Sequence, residues 1–450
     1  MEYNKSLFIF RRDLRLEDNT GLTEALESSG SVVPCFIFDR RQVKDNEYKS
    51  RNAVQFMTES LSELDSGLKK KKSHLCLFHG IAEDVVKNLL ENSIDAVFLN
   101  RDYTPFSRRR DKAISKACKK KGAAFHSFSD ALLHEPGEVL KDDGTPYSVF
   151  SYFMKKARKK KVRNPARNRH GNYFQGKIKG ENGFPGKTPA NSNIYVNGGR
   201  SRALRVLRKI KQFRDYEKKR DYPALDATTG LSAHNKFGTI STREFYYAVA
   251  EELGKDHGLI DELYWRDFFT HVAWFFPRVF GHAFRPKYDK LKWSRSRKNF
   301  TAWCGGKTGF PIVDAGMRQL NRTGFMHNRA RMVTASFLVK DLGIDWRKGE
   351  KYFATKLVDY DPAVNNGNWQ WAASTGTDAQ PYFRIFNPWS QQKRYDPDCA
   401  YIKKWIPELE GLGPKEIHNL KSEKNPSYPE PIVKHKKQAK KTKKRYKKIK

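Results

Sequence analysis

The apolar runs LFIF, residues 7–10, and VVPCFIF, residues 32–38, decide the fold class of the first part of the chain. Three more short β-type runs follow, namely HLCLF (74–78), AVFLN (96–100) and AFHSF (124–128). Helical patterns such as NAVQFMTESLSEL (52–64) and AEDVVKNLL (82–90) separate them. Strands that alternate with helices predict a parallel sheet with helices on both faces. We therefore expect residues 1–135 to form a Rossmann-like α/β domain with a five-stranded parallel sheet.

The first strand of this domain is not followed by G-x-G-x-x-G. Those glycines let the backbone approach a pyrophosphate closely at the start of the first helix. We therefore do not expect a dinucleotide to bind at that place in the usual way.

The remainder of the chain divides into a linker and a second domain. A chain of 450 residues can bury at least two cores, because single domains usually run to about 100–200 residues. Residues 136–200 are rich in Gly, Pro and Asn, and we predict an interdomain linker there. Residues 201–425 show helical periodicity, as in TREFYYAVAEELG (242–254), without strand-like alternation. They predict an all-helical C-terminal domain.

The charge balance is strongly basic. Lys and Arg number 87 against 50 Asp and Glu, a net charge of +37, and nucleic acid is the commonest partner of such a chain. Residues 433–450 hold eleven of these cations and no acid, and we predict a disordered basic tail. Such a tail fits a nuclear-localisation signal, an additional DNA contact or a solvated end.

Cysteine usage and hydropathy bear on the compartment. Five scattered cysteines without a C-x-x-C pair fit a reducing compartment. The N-terminus has no run long enough for a signal peptide, and no apolar run approaches membrane length. We expect a soluble monomer of the cytoplasm or nucleus with no membrane partner.

Two helical segments concentrate polar and aromatic residues on one face. ELYWRDF places Glu262, Trp265 and Arg266 at positions i, i+3 and i+4, and HNRARM repeats the spacing with Asn328, Arg331 and Met332. For either helix alone, a partly buried ion pair beside a core aromatic explains the pattern equally well. Two matched faces favour a shared pocket.

Two glycine-containing loops carry weaker signals. GGKTG (305–309) lacks the earlier glycine of a phosphate-binding P-loop, because Thr301 stands in its place. DATTGLSAHNKFG (226–238) offers hydroxyls and backbone N–H groups that can cradle phosphates, although a helix-capping turn explains it as well. No His, Cys or Asp grouping has metal-ligand spacing, so we predict no metal site.

Five segments together resemble the photolyase/cryptochrome family. They are FIFRRDLRLEDNTGL (8–22), DATTGLSAHNKFG (226–238), ELYWRDFF (262–269), residues 307–350 and DYDPAVNNGNWQWAASTGTDAQPYFRIFNP (359–388). The resemblance covers almost the whole chain except the linker and the tail. It implies an N-terminal antenna domain, a helical domain that binds FAD, and light-driven repair of pyrimidine dimers in UV-damaged DNA.

The resemblance also implies the residues that hold FAD. Asp359, which pairs with Arg331, and Asp361 match flavin contacts, and Asn365 matches the residue near flavin N5 that stabilises the reduced ring. The positions that match the diphosphate and ribityl contacts are Tyr216, Thr228, Thr229, Leu231 and Ser232.

Further matches imply the lesion and DNA contacts. Glu262 matches the acid that hydrogen-bonds the pyrimidine carbonyls, while Trp265 and Trp371 match the walls around the flipped dimer. Glu262, Trp265, Asn365 and Met332 are the catalytic candidates. The remaining DNA and lesion candidates are Arg220, Arg266, Asn328, Arg329 and Gln391. Aromatic walls suit this task because a stacked base contributes about 1–3 kcal/mol, which offsets the cost of flipping.

Three more tryptophans match the family's electron-donor chain from surface to flavin, in the order Trp293, Trp346 and Trp369. Core packing is the usual role of tryptophan, but all three match the motif. Arg51 and Asp102 of the N-terminal domain, together with Lys236 of the segment NKFG (235–238), resemble the antenna site of members that bind a deazaflavin more than that of members that bind methenyltetrahydrofolate.

The branch within the family is indicated by three positions. Photolyases for the (6-4) lesion carry a His pair where this chain has MHNRARM (326–332), DASH-type cryptochromes usually have Gln in place of Met332, and plant cryptochromes tend to have Asp in place of Asn365. The best match is a class I photolyase for cyclobutane pyrimidine dimers. The alternative is a cryptochrome-type blue-light receptor without repair activity.

Overall fold

The computed structural model describes residues 1–185, 189–420 and 427–449. Residues 421–425 of the predicted helical domain and Lys450 of the predicted tail lie outside the described residues. No helix among the described residues is long and apolar enough to span a bilayer.

The N-terminal sheet is parallel and five-stranded, as the sequence predicts. Its strands lie in the order β3-β2-β1-β4-β5, and Leu7 pairs with Val33 on one side and Val97 on the other. The strands are β1 (Tyr3–Phe10), β2 (Ser29–Asp39), β3 (Cys76–Gly80), β4 (Ala96–Asn100) and β5 (Ala124–Phe128). The central strands read as continuous apolar runs because helices cover both faces of a parallel sheet.

Twenty α-helices are present in the described part of the chain. The first eleven are α1 (Thr20–Ser28), α2 (Arg40–Val43), α3 (Arg51–Lys69), α4 (Ala82–Leu89), α5 (Pro105–Lys120), α6 (Phe150–Ala157), α7 (Arg200–Arg208), α8 (Tyr216–Lys219), α9 (Ser232–Phe237), α10 (Thr242–Glu252) and α11 (Gly258–Phe275). The others are α12 (Arg297–Cys304), α13 (Pro311–Thr323), α14 (Asn328–Ser336), α15 (Trp346–Lys356), α16 (Pro362–Ala373), α17 (Pro388–Tyr395), α18 (Ala400–Trp405), α19 (Pro414–Asn419) and α20 (His435–Lys447).

No strand follows β5 among the described residues, so the C-terminal part is helical, as the sequence predicts. A π-helical turn, Phe337–Asp341, continues α14.

Local capping signals explain where several helices begin. A reciprocal capping box of Ser241 and Glu244 starts α10, and Asp361 caps α16 by accepting hydrogen bonds from the first backbone N–H groups of that helix.

The chain folds into two compact units whose limits differ from the predicted domains. Unit 1 comprises Met1–Ala190, Val196–Arg214 and Thr229–Pro277, and unit 2 comprises Asn191–Tyr195, Asp215–Thr228 and Arg278–Lys450. These limits do not coincide with the boundary predicted at residue 201, since α9, α10 and α11 group with the sheet. Helical periodicity gave no sign of this, because it reports the local conformation and not the partner against which a helix packs.

The predicted linker at residues 136–200 also needs correction. Its described part contains α6 and belongs mostly to unit 1. Phe153 and Tyr173 are 1% and 2% exposed, and Tyr173 forms a bridge with Val32 of β2. Gly, Pro and Asn prevented long regular elements here, but the aromatic side chains still pack on the body of the unit.

The core of unit 2 is rich in aromatic residues. Trp303 and Trp346 are fully buried and Trp369 is 2% exposed, and all three belong to one cluster with helices α13 to α18. The glycine at 349 lets α15 pass directly against Trp369, because a Cβ atom there would lie 2.2 Å from the indole ring. Trp346 begins the same helix.

The sequence predicted a disordered basic tail, but the tail contains the helix α20. Thr442 and Tyr446 are buried at positions i and i+4. The Tyr446 hydroxyl donates to the Ala373 carbonyl (2.5 Å), and the Thr442 hydroxyl donates to the Lys340 carbonyl (2.6 Å). Composition predicted disorder because lysine dominates, whereas two well-placed side chains are enough to dock the helix.

Unit 1 contains a buried network of ion pairs. Asp130 accepts from Arg15 (2.5 Å) and Arg243 (2.7 Å), and Asp18 accepts from Arg243 (2.8 Å). All four side chains are at most 5% exposed. This network joins the loop after β1, the segment after β5 and helix α10.

Candidate functional site

Helix α11 of unit 1 presents the predicted polar and aromatic face. Glu262, Trp265 and Arg266 are half-buried, while the residues between and after them are buried. Trp265 stacks on Phe150 of α6, with ring centroids 3.5 Å apart and planes at 9°. The Arg266 guanidinium donates to the Ala131 carbonyl (2.6 Å) and the Thr242 hydroxyl (3.1 Å). Arg266, a predicted DNA contact, is thus engaged in holding α11 to its own unit.

Phe150 is the residue of this face that sequence reasoning missed. It lies in the segment predicted as a linker, so it was not considered as part of a site. The signal was present in VFSYFM (149–154), where Phe150 and Phe153 have helical spacing.

In unit 2, the start of α16 carries the predicted flavin contacts. Arg331 donates to Asp359 Oδ2 at 2.8 Å, so the predicted ion pair is present. The Arg331 Nε atom also donates to the Met326 carbonyl (2.7 Å). Asn365 is buried, and its amide donates to the Glu350 carbonyl (3.1 Å). Asp361 is buried as well, and its Oδ1 accepts from the N–H groups of Ala363 and Val364.

The hydrogen bonding of Asp359 shows whether these residues fit a flavin. Its Oδ1 is buried and has no hydrogen-bond partner among the described residues. A buried carboxylate oxygen without a partner costs about 1–3 kcal/mol or more, and such an exception needs an explanation. The ring imide N–H of a flavin is a donor of the required kind. The residues present therefore fit a flavin.

Helix α14 orients the next group of candidates. The Asn328 amide lies 3.9 Å from the Met332 sulfur, so these side chains share one face, as the spacing predicts. His327 caps the helix by accepting from the Arg329 N–H (3.2 Å). Burial is the main reason why the pKa of His327 falls to about 4, so this imidazole is neutral at pH 7.

The predicted DNA-backbone contacts lie close to one another within unit 2. Arg329 pairs with Asp221 (2.7 Å), the neighbour of Arg220 in sequence. The Arg329 guanidinium also lies over the Tyr395 ring at 4.1 Å. Tyr395 ends α17, the helix that carries Gln391, and the Gln391 Oε1 atom is buried without a partner among the described residues. The fold thus assembles these candidates from three separate segments.

The predicted phosphate loop spans the limit between the two units, which falls between Thr228 and Thr229. In unit 2, Thr228 hydrogen-bonds the Tyr195 hydroxyl, and Tyr216 is 8% exposed at the start of α8. In unit 1, the Thr229 hydroxyl accepts from the Leu231 N–H (3.3 Å), and Ser232 is exposed at the start of α9. This bond closes a turn before α9, whose N-terminus has no side-chain cap, and the cofactor role of these residues stays a prediction.

The predicted electron-donor tryptophans all lie in unit 2. Trp346 and Trp369 belong to the aromatic core, and Trp293 is partly buried against it. Trp303, which was not predicted to take part, lies 6.1 Å from Trp369 in an edge-to-face arrangement. Trp371 is half-buried two positions after Trp369, and its ring lies 6.5 Å from that of Phe386.

Family models match both parts of the chain. Residues 6–169 match the DNA photolyase model, and residues 259–448 match the model of the FAD-binding domain of DNA photolyase. The chain belongs to the DNA photolyase family. The second match contains α14, α16 and α20 and so covers the candidate flavin residues of those helices and the docked basic helix.

Curated relatives in this family extend over nearly the whole chain. A deoxyribodipyrimidine photo-lyase of Alkalihalophilus pseudofirmus is 38% identical over 96% of this chain and 95% of its own length. The enzyme of the same name from Escherichia coli is 37% identical over 95% of both chains.

Solved structures of the family share the fold. The photolyase of Sulfolobus tokodaii, described with two FAD molecules, is 44% identical with a TM-score of 0.89, over 99% of this chain and 100% of that one. A cryptochrome of Synechocystis is 28% identical with a TM-score of 0.89, over 98% of this chain and 99% of that one.

In this photolyase-family chain, the predicted antenna residues are only partly brought together. Burial alone would raise the pKa of Asp102, but Arg12, Arg110, Arg11 and Lys236 hold it well below its usual range. The Arg12 Nε atom donates to the Lys236 carbonyl (3.1 Å). Arg51 is exposed at the start of α3, and no described contact joins it to Asp102.

One further cluster in the described residues resembles a metal-ligand set. His74, Cys76 and Glu181 bring their donor atoms within 4.8 Å of one another. Spacing could not reveal the cluster, because Glu181 is distant in sequence. Burial strongly raises the pKa of the Cys76 thiol, and Glu181 hydrogen-bonds His74 (3.1 Å) and the Ile178 N–H (2.7 Å). These bonds explain the cluster, and the absence of a metal site stays a prediction.

Proposed function

We propose that this protein is a class I photolyase that repairs cyclobutane pyrimidine dimers in DNA under light, with reduced FAD as its cofactor. The observation that carries the proposal is the Asp359 carboxylate, paired with Arg331 on one oxygen and without a protein partner on the other among the described residues. It lies in the part of the chain that matches the FAD-binding domain of DNA photolyase. Relatives that cover nearly the full chain carry the name deoxyribodipyrimidine photo-lyase.

The residues around Asp359 suit a flavin that must hold an extra electron pair. When bound and reduced, the flavin supplies one electron to the dimer after absorbing light. Asp359 and Asp361 would anchor the ring edge, and Arg331 orients Asp359 by donating to its Oδ2 atom. Asn365, fixed by its bond to the Glu350 carbonyl, would hold its amide toward the reduced ring. The diphosphate and ribityl groups would be bound by Tyr216, Thr228, Thr229, Leu231 and Ser232.

The lesion contacts follow from the chemistry of the side chains. A dimer in duplex DNA must be flipped out of the stack before an enzyme can reach it. Trp265, held flat by Phe150, and Trp371 would stack on the dimer. Glu262 would donate a hydrogen bond to the pyrimidine carbonyls and stabilise the extra electron there. Asn328 and Met332 would contact the lesion from one face of α14.

The DNA strand on either side would be bound by Arg220, Arg329 and Gln391. Oxidised enzyme would be restored by electrons that pass from Trp293 through Trp346 to Trp369. Trp346 begins α15, Gly349 of the same helix packs directly against Trp369, and Trp293 is partly buried against the same core, so the three proposed donors share one core.

For the antenna, we propose an isoalloxazine-type chromophore of the deazaflavin or flavin kind. The Sulfolobus tokodaii relative is described with two FAD molecules. A small cavity in unit 1, lined by Arg11, Arg12, Asn100 and Asp102 among others, places cations beside the predicted antenna residue Asp102.

The deciding experiment is repair of two defined oligonucleotides, one with a thymine cyclobutane dimer and one with a (6-4) lesion. Reduced protein should restore only the first, and only in blue light. A Glu262→Ala variant should keep FAD but split the dimer with a lower yield per absorbed photon. No repair of either lesion by protein with bound, photoreducible FAD would favour the blue-light receptor instead.

A further inference from the structure

Helix α20 and its ends present a dense and uniformly positive surface. Residues 433–449 contain no Asp or Glu. The exposed cations of this segment are Lys434, Lys436, Lys437, Lys440, Lys441, Lys443, Lys444, Lys447 and Lys448. A segment with this composition normally remains solvated and disordered, so its ordered state needs an explanation.

Helix α20 is ordered because one side of it is buried against unit 2. The buried side fixes the direction in which the lysines point. Thr442 and Tyr446 face the body of unit 2. The Arg445 guanidinium donates to the carbonyls of Gly343 (3.2 Å) and Val339 (3.1 Å). Because these contacts occupy one side of the helix, the lysines are held together on the other side.

A second basic segment joins this surface. Tyr446 packs in a small apolar cluster with Ala283, Tyr288 and Leu291. The exposed cations around that cluster are Arg285, Lys287, Lys290, Lys292, Arg295, Arg297 and Lys298. Residues 285–298 contain a single acidic residue, Asp289, and it pairs with Arg347 (2.8 Å) and Arg278 (2.9 Å).

Both basic segments are anchored near the end of α16 that carries the proposed lesion wall. Tyr446 donates to the carbonyl of Ala373, two residues beyond Trp371. In the other segment, the Arg285 N–H donates to the Thr375 carbonyl (3.1 Å). The N–H of the preceding residue, Phe284, donates to Gln370 Oε1 (2.8 Å). Both basic segments are therefore bonded to the residues that flank Trp371.

We propose that α20 and residues 285–298 form an additional phosphate-binding surface for the DNA duplex beside the lesion. The inference rests on the proposed function in taking DNA as the substrate. Phosphate groups recur along both strands of DNA, and lysines in a fixed array neutralise several of them and release counterions. The partner is nucleic acid and not a lipid surface, because the apolar residues of this helix, Ala439 and Tyr446, are not exposed, whereas interfacial helices expose an apolar face.

The test replaces four lysines on the outer face of α20, in the variant Lys437→Gln, Lys440→Gln, Lys444→Gln and Lys447→Gln. The control replaces four exposed lysines of α5 in unit 1, namely Lys112, Lys116, Lys119 and Lys120, by Gln. Affinity for a short synthetic duplex, with and without one thymine dimer, is measured over a range of salt concentrations. Thermal unfolding and the flavin absorption spectrum show that each variant is folded.

The α20 variant should bind both duplexes more weakly and by the same factor, because phosphate contacts carry no lesion information. The slope of log affinity against log salt should become shallower by about 0.9 for each phosphate that the variant no longer neutralises. An unchanged slope, a change equal to that of the α5 control, or binding of anionic vesicles in place of DNA would overturn the inference. Failure of the unaltered protein to bind the dimer-containing duplex would instead count against the proposed function.

Discussion

Two buried carboxylates, Asp130 of unit 1 and Asp359 of unit 2, differ in how their oxygens are used. Asp130 accepts hydrogen bonds on both oxygens, from Arg15 on one and from Arg243 and Thr20 on the other. Asp359 accepts from Arg331 on one oxygen, while the other is buried without a partner in the described structure. Both residues are at most 9% exposed.

The difference separates a carboxylate with a structural role from one that we propose binds a ligand. A buried carboxylate whose two oxygens are both paired, as in Asp130, needs no further donor and stabilises the fold. A cluster with one buried acceptor left over carries a cost that a ligand donor removes. Burial is similar for Asp130 and Asp359, whereas the pairing of their oxygens differs.

The largest expected effect is on folding, in Asp130→Asn. Removing one partner of a buried ion pair leaves the opposite charge uncompensated, at a cost of about 3–5 kcal/mol. The free energy of unfolding in urea should fall by about that amount. Asp142→Asn, which breaks an exposed pair with Lys156, is the control and should leave stability unchanged. A mild effect of Asp130→Asn would contradict the structural role of the network.

The same carboxylate has a predictable response to acid. Burial alone would raise the pKa of Asp130, but Arg15 and Arg243 hold it far below the usual value. A lowered folded-state pKa contributes stability above the unfolded value of about 3.9 and loses it as pH falls. Wild-type protein should therefore lose stability in acid more steeply than Asp130→Asn, as measured by urea unfolding at a series of pH values.

A second test compares two buried tryptophans instead of two carboxylates. Trp369→Phe should abolish most photoreduction of oxidised flavin, while repair by chemically reduced enzyme is retained. Trp303→Phe is the matched control, because Trp303 is equally buried and lies against Trp369. Flash spectroscopy of the flavin measures photoreduction in both variants. Equal losses in the two variants would show that core packing, and not electron transfer, explains the effect.

Asp359→Asn should weaken FAD binding by about 10- to 100-fold, since a charged hydrogen bond contributes about 1.5–3 kcal/mol. Equilibrium titration of the apoprotein with FAD measures the change. The control is Asp396→Asn, because Asp396 is buried with its oxygens bonded to the N–H groups of Tyr401 and Ile402. That variant should lose stability but keep its FAD affinity, and the opposite pattern would reverse our assignment of the two groups.

The smallest effect is expected at Glu350, whose carbonyl holds Asn365. Burial raises the pKa of the Glu350 carboxyl to about 7, so the folded state binds a proton more tightly than the unfolded state. Stability from this group is present at low pH and is lost as pH rises through 7. Glu350→Gln should therefore be more stable than wild type at pH 8 by about 1–3 kcal/mol, and not at pH 4. Stability profiles of wild type and variant that run parallel from pH 4 to pH 8 would contradict this expectation.

The sequence was sufficient for the fold class and for one central contact. Apolar runs at strand length predicted the parallel sheet, and motif matching predicted the pair of Arg331 with Asp359, which the structure contains. The limits of the units could not be read in the same way. Periodicity shows that α11 is a helix with a polar face, but not that it packs with the sheet in unit 1.

The errors share one physical origin, which is that composition averages over residues while docking depends on single side chains. Tyr446 orders a lysine-rich segment, and Phe150 brings the supposed linker against Trp265. The hydrogen bonds to both oxygens of Asp130 also come from residues that are far apart in sequence, Arg15 and Arg243. Only the folded chain shows which polar atoms remain unpaired.

The buried ion network of unit 1 also bears on heat. Hydration of charged groups becomes less favourable as temperature rises, so the penalty for burying Arg15, Arg243, Asp18 and Asp130 shrinks on warming. The hydrophobic contribution per unit area levels off over the same range. The segments that this network joins should therefore gain in relative stability as the protein is heated and be among the last parts of unit 1 to exchange their amide hydrogens.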